Sequence, residues 1–201
     1  MQQCEQDEIR LLMREILQDE YLELTVVDYR VTDQLFSNRC DIELSVKDGR
    51  SDDNLLIKGR GVGLVDAAWQ GLQARFSEEH PSLTSLKFSR FKAKGLIQPS
   101  KGQQVDAEAQ VELGVKNSYG VEFDFNVTSR SLGHACVQGV AQAVQYFANS
   151  ELTFIRMHKI RRYYQAEGRI ELVSKYTVLM SKMVRNTSYS AVIDRIRDEL
   201  N

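Results

Sequence analysis

Proline, cysteine and histidine are scarce in this chain of 201 residues, with two, three and three copies respectively. Cys4, Cys40 and Cys136 are odd in number and widely spaced, which argues against a disulfide framework and fits a reducing, cytoplasmic setting. No apolar run approaches the roughly 18 residues a membrane span needs, and the amino terminus opens polar and acidic rather than with a basic-then-apolar leader. A net charge of −2 gives no global electrostatic case for a nucleic acid or a membrane as partner. His80, His134 and His158 are scattered and form no H-x-H pair, so neither a metal set nor another cofactor is expected. What is present is ordinary globular composition, 42% hydrophobic and 27% charged, enough for one good core or two small ones.

The informative feature is a unit written twice. Residues 42–48 (IELSVKD) align with residues 111–117 (VELGVKN), sharing Glu, Leu, Val and Lys in order. Each copy then runs through a strand-like segment into a turn punctuated by glycine or serine, followed by an amphipathic helix. Duplication of a β-β-β-α unit predicts a pseudo-symmetric α+β domain of antiparallel sheets, with a cleft where the two helix starts face each other.

Around this core the periodicities divide the chain. Residues 5–21 place Ile9, Leu12, Met13, Ile16 and Leu17 on one helical face, so 1–22 reads as an amino-terminal helix. Period-2 runs at Val27, Tyr29 and Val31, at Ile42, Leu44 and Val46, and at Leu55 and Ile57 predict three antiparallel strands. A helix carrying Val65, Ala68, Trp69, Leu72 and Phe76 completes the first repeat, 23–81, before Pro81. In the second repeat, 82–150, strands form around Leu86 and Phe88, around Val111, Leu113 and Val115, and around Val121, Phe123, Phe125 and Val127. Pro99 falls in its long hairpin, and its helix aligns Leu132, Cys136, Val140, Ala143 and Phe147. Residues 151–201 have no counterpart in the first repeat and read as a mainly helical extension. It has a helix to about Gln165, a break at Gly168, a segment of open type over 170–183, and a last helix capped by Ser188 or Ser190 with Ile193, Ile196 and Leu200 apolar. This extension is the basic part, with ten Lys/Arg against six Asp/Glu.

The turn Gly59-Arg60-Gly61-Val62-Gly63-Leu64-Val65-Asp66-Ala67-Ala68 resembles the G-x-G-N-G-P-x-D-A segment of the carboxy-terminal regulatory domain of alpha-isopropylmalate synthases and the related citramalate synthases. The second copy, from Leu86 through Asp106-Ala107-Glu108-Ala109 to Ser129-Arg130-Ser131, is similar to that domain's second half. The resemblance spans residues 24–150 and departs from the family at Val62 and Leu64, where Asn and Pro are usual. It implies two β-β-β-α units, pairing of such domains as a homodimer, and a leucine- or isoleucine-type effector near the helix starts. The effector residues it implies are Gly61, Val62, Gly63, Leu64, Val65 and Asp66 in the first copy, and Ser129, Arg130, Ser131 and Leu132 in the second. A glycine turn that admits close backbone approach, followed by free N–H groups at a helix start, suits a carboxylate. The large metal-dependent barrel that precedes this domain in those synthases has no room here, so no catalytic residues are expected.

The expected function is therefore non-catalytic regulation by a branched-chain amino or keto acid, with an enzyme partner acting in trans. Two alternatives stand beside it: an oligomerisation module without a ligand, and RNA binding through the basic, aromatic stretch Arg156, His158, Lys159, Arg161, Arg162, Tyr163 and Tyr164. Ser131, His134 and Cys136 are close in sequence, but i, i+3 and i+5 do not share a helical face, so a helix cap and a core cysteine are the expected roles. The G-x-G-x-G turn lacks the Lys-Ser/Thr of a phosphate loop and lies in an antiparallel context, which sets it apart from nucleotide sites.

Overall fold

A computed structural model describes residues 3–98 and 106–199. Pro99 and Leu200 of the sequence reading lie outside the described residues. The order is α1 (Gln3–Leu17), β1 (Leu24–Gln34), β2 (Arg39–Asp48), β3 (Asn54–Gly61), α2 (Leu64–Phe76), β4 (Lys87–Gln98), β5 (Asp106–Lys116), β6 (Glu122–Ser129), α3 (Leu132–Ala166), α4 (Ile170–Met183) and α5 (Ala191–Asp198). The chain is α+β, with two three-stranded antiparallel sheets ordered β1-β2-β3 and β4-β5-β6. The duplication holds in register. Val26 lies opposite Val46 and Phe88 opposite Val115, at matching places in the two copies, and Leu44 faces Ile57 as Leu113 faces Phe125.

Both copies also carry a β-bulge at the same place, between Val26 and Asp28 and between Phe88 and Arg90. A bulge adds one residue to one strand and so reverses the phase of its side chains. Val26 is buried whereas Val27 is 55% exposed, and the inward face resumes at half-buried Tyr29. Of the face expected at Val27, Tyr29 and Val31, only Tyr29 is partly buried; Val31 is 45% exposed, because the rest of β1 runs out beyond the core.

Each helix buries the stripe its spacing demands: Ile9, Met13 and Leu17 in α1, Ala68, Trp69, Leu72 and Phe76 in α2, and Val140, Val144 and Phe147 in α3. The α3 helix is 35 residues long, because neither glycine nor proline interrupts it between Gly139 and Gly168. Gly168 ends it at φ +68, where the amide of Arg169 donates back to the Tyr164 carbonyl. The expected division after Ser150 falls inside this helix.

Polar side chains of the helices seal the sheet edges. Along β1 and the residues before it, Asn149 bonds both the N–H and the C=O of Leu22, Gln145 accepts from Leu24, and Gln138 accepts from Val26 while donating to the Leu24 carbonyl. At the outer edge of β6, fully buried Gln6 of α1 both donates to and accepts from the backbone of Asp124. An uncovered edge strand is a template for further pairing, and these amides close part of two such edges.

The segment following α4 is buried rather than a loose connector. Asn186, Thr187, Ser188 and Ser190 are all at most 3% exposed. Asn186 accepts from the Tyr146 hydroxyl at 2.6 Å, and Asn117 donates to the carbonyls of Arg185 and Thr187. Glu151 in the middle of α3 accepts from the Ser82 amide and from the hydroxyl of Ser190, the residue that caps α5.

Candidate functional site

The first helix start is shaped by close packing of α2 on β3. A Cβ on Gly59 would collide with the Ala67 carbonyl, and one on Gly61 would collide with the Asp66 carboxylate and the Ala67 amide. These two glycines thus let a helix approach a strand. Gly63 differs: its φ of −168° is extended, and a Cβ there would meet nothing within 4 Å. As the N-cap of α2 it supplies no side-chain hydrogen bond. The first N–H groups of a helix have no intrahelical partner, so those of Leu64 and Val65 have none within α2 and no side-chain cap in its place. Asp66 turns back and accepts from the Val62 amide at 2.9 Å. Val62 is 74% exposed, while Leu64 and Val65 rest on Val111, Val127, Ala135 and Cys136 of the second repeat.

The second start is closed by its own residues. Ser131 caps α3 by accepting from the His134 amide, and the Ser129 hydroxyl accepts from the Ser131 amide and meets His134 Nδ1 at 3.1 Å. His134 Nε2 lies 3.3 Å from the Val26 carbonyl, and the Tyr29 hydroxyl sits 3.5 Å from Ser131 Oγ. Arg130 is exposed and Leu132 half exposed. The structure thus brings the two helix starts together through Leu64, Val65, Ala135 and Cys136, and fills the contact with side chains. Cys136 is buried, and desolvation pushes its thiol above the ordinary range, as it does for Cys40. That leaves both as protonated thiols rather than nucleophiles.

Part of the basic stretch of α3 is taken up by partners, while Lys159, Arg162 and Tyr163 are exposed. Arg156 pairs with Glu20, Arg161 donates to Thr177 of α4 at 3.1 Å, and Tyr164 stacks on Tyr176. His158 bonds Glu199 at 2.9 Å, which ties the stretch to the end of the tail.

A cavity of about 340 Å³ lies elsewhere, between the edges of β1 and β6, with α1 on one side and α3 beneath. Arg10 and Arg14 of α1, Glu23, and Gln138, Gln142 and Gln145 of α3 are among its walls. The sequence reading missed it, although glutamines at i, i+4 and i+7 on an otherwise apolar helix were a usable signal.

Among the described residues, no three His, Cys, Asp or Glu side chains gather so as to hold a metal ion, and no helix is long and apolar enough to cross a membrane. No protein-family model matches the chain, and no curated protein matches it either.

Proposed function

We propose that the chain is a non-catalytic regulatory protein that binds a small branched-chain amino acid at the start of α2. The observation that carries this reading is the uncapped turn at Gly63. No side chain caps the helix there, a Cβ on Gly63 would meet open space, and Leu64 and Val65 pack against the other repeat beside exposed Val62. A carboxylate suits the first amides of such a helix and the positive end of its dipole, and an alkyl group suits those apolar side chains. Asp66, on the same turn, favours a ligand that also carries an ammonium group, so an amino acid should bind better than its keto acid. The resemblance to the leucine-responsive domains points the same way. A ligand touching both repeats biases their relative placement, which is what control of an enzyme partner requires.

Calorimetry with leucine, isoleucine, valine and their keto acids tests the reading directly. Gly63→Asp gives the sharper arm, because an aspartate cap would occupy the same amides and stabilise α2 by a few tenths of a kcal/mol. Binding should vanish while the protein becomes slightly more stable. Unchanged binding in a folded Gly63→Asp protein would end the proposal.

A second reading, assembly with another copy, draws on a different observation. β4 is an edge strand, and it exposes Phe88, Phe91 and Leu96. Such an edge is a natural pairing surface. A homodimer through this strand would lose mass in light scattering on Phe91→Lys, and a mass that is monomeric from the start would remove it.

A further inference from the structure

We propose that the cavity between the two sheet edges binds an acidic amino acid, at a site separate from the start of α2. One wall is built from Arg10 and Arg14, one turn apart on α1. Their guanidinium groups lie 5.6 Å from the Tyr146 ring centroid and 4.3 Å from that of Tyr21. Stacking of this kind fixes the plane of a guanidinium while leaving its edge donors available. Arg14 bonds Glu23 at 2.9 Å, and Arg10 is held by Asp7 at 2.7 Å. Each guanidinium has five N–H donors, so capacity for a further carboxylate remains.

The floor is α3. Gln138 and Gln145 have their amides bonded to the β1 backbone, which locks them in place. Gln142, between them and half-buried, lines the cavity with an amide that no described residue satisfies. This amide is open to the solvent in the cavity, so a polar ligand can take the place of water on both its donor and its acceptor. The volume of about 340 Å³ falls in the range of small-molecule sites.

Charge selects the class. Among the lining residues the charges are two guanidiniums and the Glu23 carboxylate, with Asp7 pairing Arg10 from outside the lining; two carboxylates and one ammonium, the charge set of aspartate or glutamate, complement that lining. The Gln142 amide then bridges to the ligand's own polar atoms. Because the walls come from both repeats and from α1, occupancy would clamp α1 onto the junction.

Titration calorimetry of the full chain with L-glutamate and L-aspartate at low ionic strength tests this, with L-glutamine, glutarate and sodium phosphate as controls. An acidic amino acid should bind at least about tenfold more tightly than any control, since each control lacks one of the matched charges. Gln142→Leu should weaken it about tenfold with an unchanged melting temperature, and Arg14→Gln should weaken it at least as much. Gly63→Asp should leave it intact, which separates this site from the one proposed for branched-chain acids. No heat with either acidic amino acid, equal binding of glutarate or phosphate, or wild-type affinity in Gln142→Leu would each overturn the proposal.

Discussion

Gly59, Gly61 and Gly63 look alike in sequence, yet the space around them separates their roles. The first two lie where α2 presses on β3, and a side chain at either forces the helix away. Gly61→Ala should therefore cost about 1–3 kcal/mol in chemical denaturation, whereas Gly63→Ala should change stability by less than about 0.5 kcal/mol. A residue of a different kind is His80, 2% exposed, with neither ring nitrogen bonded among the described residues. Desolvation lowers its pKa below the ordinary 6.5, Arg50 and Arg75 push the same way, and Glu151 and Glu79 oppose them. The unfolded chain takes up a proton near 6.5 while the folded one resists it, so stability falls as pH drops from about 6.5 towards the depressed folded value. His80→Leu should flatten that decline in urea melts taken between about pH 7.5 and 5.5. An identical decline in the variant would assign the acid sensitivity to other groups.

At the scale of elements, the repeat was legible because hydrophobic period and turn residues recur in both copies, and the paired registers bear that out. The bulges at Val27 and Ser89 were not, since a one-residue phase change is hidden where Val26 and Val27 are both apolar. The amide ladder was also hidden: Gln138, Gln145 and Asn149 read as ordinary polar positions until β1 is seen beside them. Its energetic weight can be tested at Leu22, which is fully buried with both backbone groups bonded to Asn149. Asn149→Leu orphans a buried donor and a buried acceptor, at about 1–3 kcal/mol each. The Leu22 and Leu24 amides should then exchange hydrogen much faster than in the wild type, with β5 amides less affected. Uniform acceleration across both sheets would mean that the ladder supports the whole fold rather than one edge.

For the whole molecule, the long α3 helix is the common spine. Its first half completes the second repeat, and its second half carries α4 and the tail back onto the same core. The sequence hid this because comparison with the first repeat ends at Ser150, although no helix breaker lies there. The polar segment over residues 184–190 gives no sign of burial in sequence, and its partners on the short 3-10 turn Pro81–Ser85, on the Asn117 turn and on Glu151 explain it. A chain ending after Met183 would lose the Asn186 partner of Tyr146 and the Ser190 partner of Glu151, leaving a buried hydroxyl and a buried carboxylate short of a bond. It would also uncover the surfaces now covered by Ile193 and Ile196, which are 0% and 6% exposed. Buried polar groups short of a bond and exposed apolar surface both favour the unfolded or aggregated state. The shortened protein should therefore show a lower melting temperature and bind a hydrophobic dye, with the deficit spread over both repeats. A soluble, cooperatively folding product with wild-type melting would mean instead that the two repeats and α3 are a complete unit, and that the buried polar segment only decorates it.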